Sequence, residues 1–561
     1  MTDGMPGDAE TRQAEAAWSS LPSWAADGIL YVLDVPAFRD SDGDGLGDLR
    51  GVEQGLDEIA GLGVTMLWLL PFYASPRQDN GYDVADHFAV DARLGTMDDL
   101  RSLIDAAHRR GLRIIIDLLA NHVSSQHLWF QAATAPGTSA MRDRFVWTTD
   151  PTSHRHLTPV FPGFEESVWQ YEHHVGAWYL HHFYEFEPDL NSRHEAVRNY
   201  VRDVITFWLE MGIDGFRLDA APFLGDDLSA EAPDPHAYLK QMRSWIEAVN
   251  PEACLFAEAD LPADQLSAYF GDGDEVHGLF DFMLNRHVYL ALAEEAAGPV
   301  RKALQGCPPV RAGQGWVSFL RHHDELSLSF LDRADQQKIF DRFAPEPSMQ
   351  IYERGIRRRL APLLENDWDL LRGAFSLQMS LPAVPMVMFG DELGLPDNLQ
   401  LPERAAVRTP MAWEEPGATP SRMLLANIVA KEAVPVPVEV PGRRAGADDF
   451  RTWLADLIAL RKQVVDPVKP SFEVIESGSP AVLAHRYAGQ ETSLLCLHNF
   501  SGQAQHVRLE DDLPAARVVL GEGQMCCRER RAGTWALEPH GFRWVLLDTG
   551  TAAPGEKGEP A

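Results

Sequence analysis

Ile213-Asp214-Gly215-Phe216-Arg217-Leu218-Asp219 is a short, mostly apolar run that ends on a carboxylate. A run of this kind reads as a buried barrel strand, and an acid at its carboxyl end falls on the rim where parallel barrels do their chemistry. Two more segments end in the same way: Leu255-Phe256-Ala257 leads into Glu258, and Arg321-His322-His323 leads into Asp324. Three acids on three strand ends are therefore expected to converge on one rim.

Working outward, short apolar runs recur at 28–36, 64–71, 112–118, 213–220, 254–257, 278–282, 316–321 and 384–390, with charged, helix-like segments between them. Eight strands alternating with helices predict an α/β fold, a (β/α)8 barrel built from residues 21–121 and 196–465. Residues 122–195, rich in His, Trp, Phe and Pro, are too many for one connecting helix and predict an inserted lid subdomain over the mouth. Apolar spacing over 448–463 predicts the helix that closes the barrel, and alternating runs with Gly turns over 466–550 predict a C-terminal β-sandwich. The polar, small-residue stretches 1–20 and 551–561 predict a disordered leader and tail.

Composition narrows the partners. Eighty-three acids against 49 bases give a net charge of -34, which repels phosphate backbones and anionic membranes and points to a neutral or cationic small substrate, with no nucleic acid and no membrane. The cysteines at 254, 307, 496, 526 and 527 have neither framework nor zinc spacing, and the first 20 residues lack a hydrophobic signal core, so a reducing cytoplasm is expected. Homo-oligomerisation is left open.

Cleaving a glycosidic bond with retention needs a carboxylate nucleophile and a protonated carboxyl group, about 5 Å apart. Asp219 and Arg217 lie two residues apart, on one face of a strand, where the cation keeps the acid ionised; Asp219 is the candidate nucleophile. The apolar lead-in to Glu258 raises its pKa, as a general acid/base requires. Asp324, beside His323, is the third carboxylate, able to steer hydroxyls and favour a distorted ring. In Asp117-Leu118-Leu119-Ala120-Asn121-His122, His122 could bond a sugar hydroxyl while Asn121 anchors the loop, against the plainer reading of a satisfied core histidine. Asp40, Asp42, Asp44 and Asp48, with the backbone carbonyl of Leu46, offer hard oxygen ligands at alternate positions, as a calcium loop does. It is not an EF-hand, since the twelfth position is Gly51, and a solvated acidic turn is the alternative. His173, His174, His181 and His182 stand in an aromatic-rich stretch whose spacing favours packing and sugar contacts over zinc.

Taken together, Asp117 to His122, Gly215 to Asp219, Glu258 and His323-Asp324 resemble the four ordered signature regions of the α-amylase superfamily, glycoside hydrolase family 13, over roughly residues 24 to 413. Glu187-Pro188-Asp189-Leu190-Asn191 is similar to the extra motif of its oligo-1,6-glucosidase branch, which usually has Gln at the position of Glu187. Longer stretches resemble the trehalose synthases of that branch: the segments 40–45, 71–76, 323–326 and 407–411, and above all Gly355-Ile356-Arg357-Arg358-Arg359-Leu360-Ala361-Pro362-Leu363-Leu364.

The resemblance implies a glucose-binding pocket in which Tyr82 stacks on the ring, Asp79 and Arg408 bind its outer hydroxyls, and His122 and His323 bind the inner ones. It implies structural calcium at the Asp40 to Asp48 loop, a second ion at Asn121 and Asp189, and a closure pair between Glu325 and Arg408. The implied substrates are small α-glucosides such as maltose, trehalose or sucrose, and the implied reaction is intramolecular glucosyl transfer from maltose to trehalose. Ala220, where relatives acting on α-1,6 bonds usually carry Val, tilts the linkage towards α-1,4 or α-1,1. His322 and Asp260 stand where trehalose synthases have Asn, and Ala412 where they have Gln, all on the expected acceptor side. A retaining α-glucosidase or intermolecular α-glucosyltransferase is the second reading. A non-catalytic barrel is the third, and it predicts a membrane anchor and lost carboxylates, whereas Asp219, Glu258 and Asp324 are all present.

Overall fold

The computed structural model describes residues 21–137, 139–154, 157–224, 235–308, 310, 314–411, 413, 421–427, 429–439, 444–465, 472–488, 492–508, 516–521, 524–530 and 534–548. The leader 1–20, the tail 551–561 and Ala412 lie outside them. Strands β1 (Leu30–Leu33), β2 (Met66–Leu69), β3 (Arg113–Leu118), β4 (Gly215–Leu218), β5 (Cys254–Ala257), β6 (Gly278–Phe280), β7 (Gly315–Phe319) and β8 (Val384–Met388) pair in sequence order, and β8 returns to β1. The result is a closed parallel barrel, and each strand falls within or beside a run expected from the sequence. Its strands are buried because helices cover the outside while Val, Leu, Ile and Phe fill the interior.

Register decides where the rim acids meet. Arg217 on β4 lies opposite Asp117 on β3 and Phe256 on β5, so Asp219 and Glu258 both emerge just past paired strand ends. The backbone N–H of Asp219 donates to the Leu118 carbonyl at 3.2 Å, and that of Glu258 to the Leu218 carbonyl at 3.0 Å. Both acids are thus held by the last bonds of the barrel ladder rather than by free loops.

Between β3 and the helix Glu195–Met211 sits the inserted region, with a helix at Leu128–Thr134 and a three-stranded sheet of Trp147–Thr148, Ala177–Leu180 and Trp169–Glu172. The helix Ala447–Val464 packs Phe450, Leu454, Leu457 and Ile458 inward, and Arg461 donates to the carbonyls of Met379, Leu381 and Ala383. Beyond it, a six-stranded antiparallel sheet and the pair Gln505–Arg508 with Thr534–Leu537 share an apolar core of Val482, Leu495, Leu497, Trp535 and Val545. That unit docks on the barrel through Tyr487, which donates to the Ser380 carbonyl at 2.8 Å, and Trp544, which donates to the Ser376 hydroxyl at 3.0 Å.

Some small sheets have no counterpart among the strands expected from the sequence, among them the pair Tyr73–Ala74 with Asp86–Val90. Leu326–Ser327, Gly355–Ile356 and Gln350–Ile351 form a small sheet after β7, and Arg422–Asn427 pairs with Glu432–Pro437 in a hairpin after β8. Strands of two residues are too short to show alternation, and the hairpin carries Pro435 and Pro437, which read against a strand.

Gly215 opens β4 where a Cβ would meet Cys254 Sγ at 2.5 Å and the Cys254 carbonyl oxygen at 2.7 Å. Gly215→Ala should therefore cost about 1–3 kcal/mol of stability by overpacking and, because β4 carries Arg217 and leads to Asp219, lower activity as well. Thermal melting and turnover measured together test this, and a variant with unchanged melting would contradict the close approach.

Candidate active site

One guanidinium organises the rim. Arg217 is only 3% exposed; its Nη1 donates to Asp117 Oδ1 at 2.8 Å and to Asp219 Oδ1, while Nη2 donates to Glu258 Oε2 at 2.5 Å. Asp117 is held from the other side by the indole N–H of Trp68 at 2.8 Å. Burial pushes the Glu258 carboxyl up to about 8; Arg217 opposes this, and the charges of Asp219 and Asp324 add to it. Burial likewise raises Asp117 to about 7 against the pull of Arg217. A proton-bearing carboxyl next to an ion-paired carboxylate is the division of labour that acid-assisted displacement needs.

A second pair of cations sits opposite. Arg404 Nη2 forks onto both oxygens of Asp79 at 2.7 and 2.8 Å, and its Nη1 reaches Asp324 Oδ1 at 3.0 Å. Arg408 donates to the same Asp324 oxygen at 2.5 Å and to the His323 carbonyl at 3.0 Å, and stands 3.9 Å from Asp79. Burial alone would raise the Asp324 carboxyl, but Arg404, His323 and Arg408 outweigh it and hold it well below the usual carboxylate range. The Glu325–Arg408 closure pair is thus corrected: Arg408 is committed to Asp324, and the cation that acts most on the buried Glu325 is Arg404. Arg404 was missed from the sequence. It stands in the 3₁₀ turn Glu403–Val407, four residues before Arg408, and no local sequence signal marks it.

Tyr82 and His323 lie ring over ring with centroids 5.6 Å apart, and the Tyr82 hydroxyl is 2.7 Å from His323 Nε2. His323 Nε2 also lies 3.0 Å from Asp324 Oδ2. His122 is buried with neither ring nitrogen bonded within the protein, so the reading as a satisfied core histidine does not hold. His322 Nδ1 accepts from the Asp324 backbone N–H at 3.3 Å, which leaves its Nε2 without a protein partner. The segment Gly355 to Leu364 does not touch the reacting rim; its three arginines fasten the loop that does. Arg357 donates to the Leu399 and Leu401 carbonyls, Arg358 pairs with Asp397 at 3.1 Å, and Arg359 donates to the Val407 and Phe389 carbonyls.

Glu258, Asp324, Asp260, Glu325 and Arg404 open into a cavity of about 720 Å³ roofed by Val160, Phe161 and Phe183 of the inserted region. Phe161 covers the Arg404 guanidinium at 4.7 Å and packs on Tyr184 and Tyr352, whose hydroxyls both donate to Glu403. The insertion therefore closes over the site through the same loop that carries Arg404 and Arg408.

Asp40, Asp42 and Asp48 each bring a carboxylate oxygen within 4.8 Å of the others. Asp44 Oδ1 accepts from the Leu46 N–H at 2.7 Å, which shapes the turn, and the Leu46 side chain is buried under Leu424 and Ala433. Asp189, expected with Asn121 to hold a second ion, lies against His182 Nδ1 and accepts the His182 backbone N–H at 3.3 Å. His181 bonds the Phe183 carbonyl and His174 pairs with Glu172, consistent with packing rather than a metal centre.

Residues 35–463 match the α-amylase catalytic-domain family. A trehalose synthase/amylase of Mycolicibacterium smegmatis is 36% identical over 95% of this chain and 94% of that protein. A trehalose synthase of a Pimelobacter species is 33% identical over 94% of this chain and 96% of its own. The fold is similar to that of an isomaltulose synthase from Protaminobacter rubrum, with a TM-score of 0.76 at 20% identity over 94% of this chain and 100% of that one. With its closed barrel, its three rim acids around Arg217 and relatives of this kind along its length, the chain is an enzyme of the α-amylase family, glycoside hydrolase family 13, in the branch whose relatives are named trehalose synthase.

Proposed function

We propose that the protein isomerises maltose and trehalose by intramolecular α-glucosyl transfer, and the observation that carries this is the sharing of Arg217 by Asp219 and Glu258, with Glu258 opening into the roofed cavity. Asp219 attacks the anomeric carbon while Glu258 delivers its proton to the departing oxygen, giving a β-glucosyl ester and a free glucose. That glucose re-attacks through a different hydroxyl, now deprotonated by Glu258, and the carboxylate leaves. Asp324, fixed as an anion by Arg404 and Arg408, accepts hydroxyl hydrogen bonds that strengthen as the ring flattens. Tyr82 offers a stacking face, Asp79 and Arg408, together with Arg404, hold the outer hydroxyls, and His122 and His323 the inner ones. The aromatic roof excludes water, the competing nucleophile. Asp260 and His322 on the cavity wall favour a second reading, a retaining α-glucosidase or intermolecular transferase with the same nucleophile and acid but another acceptor. The clustered carboxylates of Asp40, Asp42 and Asp48 suit a calcium ion, with Asp44 and the Leu46 carbonyl as the further ligands expected from the sequence, and the ion would supply structural cross-linking. Among the described residues Cys254, Cys307 and Cys496 are free thiols and no helix is long and apolar enough to cross a membrane, in keeping with a cytoplasmic enzyme.

With maltose as sole substrate, trehalose should form early and exceed free glucose in product chromatography; glucose alone from the first minutes would make the protein a hydrolase. Asp219→Asn should lower turnover about 10⁴-fold or more with melting unchanged. Glu258→Gln should lose about 10²–10⁴-fold on maltose and much less on an aryl glucoside whose leaving group needs no proton; equal losses would remove Glu258 as the acid. For the wild type, kcat/KM on maltose should fall as pH rises through about 8, where Glu258 gives up its proton. A profile still level two pH units higher would contradict this. Exhaustive chelation should lower the melting temperature, and Asp42→Ala should abolish that response; identical melting curves with and without chelator, together with no metal by elemental analysis, would refute the ion.

A further inference from the structure

The part of the cavity lined by Asp260, Ser327, Ser329 and Phe330 carries a feature that the reaction above leaves unused. Phe330 lines the cavity with its side chain 58% exposed, and its backbone sits at φ 64, a left-handed conformation that bulky residues rarely adopt. Such a conformation persists only where the surroundings over-determine it, and it concentrates at binding sites. Here the surroundings are an ordered polar clasp. Arg286, 2% exposed, places its Cζ 5.4 Å from the centre of the Phe330 ring, and donates to the Ser329 carbonyl and, at 2.6 Å, to Asp260 Oδ1. The Ser327 hydroxyl donates to Asp260 Oδ2 at 2.7 Å. Arg354 donates to the Ser329 hydroxyl at 2.9 Å and to the Val160 carbonyl of the roof at 3.0 Å, tying this wall to the insertion. Phe330 is therefore fixed without being covered.

An uncovered aromatic ring beside a carboxylate is the combination that a pyranose uses, with its C–H face on the ring and a hydroxyl on the acid. Asp260 accepts one hydrogen bond on each oxygen out of roughly four that a carboxylate can take, and its side chain is 22% exposed. Both guanidinium groups of the clasp are already bonded to protein acceptors, so the wall offers no free cation for a phosphate or carboxylate ligand. The chemistry selects a neutral sugar ring.

We propose that Phe330 and Asp260 form the platform for the sugar on the leaving-group side, the glucose that Glu258 protonates off and that must turn without escaping before it re-attacks. This rests on the α-glucoside reading above. Stacking on a flat face lets a ring rotate while it stays bound, whereas a cage of directional hydrogen bonds would fix one orientation. The platform thus holds the departed glucose against loss to solvent, and its occupancy sets the balance of transfer to hydrolysis.

The test compares maltose with α-glucosyl fluoride, whose leaving group is an ion and never meets the platform. Phe330→Ala should lower kcat/KM on maltose about tenfold while leaving that on the fluoride within about twofold, and should raise free glucose relative to disaccharide. Phe330→Tyr should keep the wild-type ratio. Equal losses on both donors would show a structural role, and unchanged maltose kinetics and product ratio would show an idle residue; either overturns the proposal. A wild type that releases only glucose from maltose would instead overturn the transfer reading, and the maltose-to-fluoride ratio of Phe330→Ala would still decide whether the platform holds a sugar.

Discussion

The active rim depends on the burial of one positive charge. Arg217 lies within hydrogen-bond reach of Asp117, Asp219 and Glu258, three acids that arrive from three neighbouring strands. Bringing them together without a cation would leave uncompensated carboxylates in a desolvated site, at a cost of several kcal/mol per ion. Two parallel strand pairings in fixed register put the guanidinium between them, so the catalytic geometry is an outcome of barrel closure rather than of loop packing. The same cation leaves room for asymmetry. Asp219 is tied to it closely, while burial keeps Glu258 on the protonated side of neutrality.

A second set of cations works differently. Arg404 and Arg408 stand on a loop after β8, and a loop by itself would not hold them to within hydrogen-bond tolerance. Arg357, Arg358 and Arg359 supply the missing rigidity by bonding carbonyls and an acid at positions 389 to 407 of that loop. Phe161 then lays the inserted region on Arg404. Pocket, loop and lid are thus joined by direct contacts, from Phe161 to Arg404 and from Arg404 to Asp79 and Asp324.

How much of this was legible in the sequence follows from the range of the interactions. The eight strands were legible because a strand buried on both faces is a continuous apolar run, and Asp219, Glu258 and Asp324 were legible because each terminates such a run. Tyr82 and His323 could be named, but their mutual stacking could not, since 241 positions separate them. Arg404 escaped because nothing local marks it: its partners Asp79 and Asp324 lie 325 and 80 positions away. Asp189 shows the converse. Its motif was recognisable, but the contact it makes with His182 was not, since no metal-ligand spacing would flag it.

Two of the departures from the trehalose synthase pattern, those at Asp260 and His322, line one cavity, as does Phe330. Asp79, Tyr82, Arg217, Asp219 and His323 belong instead to the network of bonds around Arg217 and Asp324. The division has a physical basis. The transferred glucose must pass through one charged, planar transition state whatever its destination, so the residues around it are tightly constrained. The acceptor needs only to be neutral, retained and correctly presented, and aromatic stacking with one carboxylate meets those demands in many arrangements. Differences in product among enzymes of this architecture should therefore be sought on the Phe330 side of the cavity, where a substitution can redirect the incoming hydroxyl without disturbing the charge balance that makes the glucosyl ester.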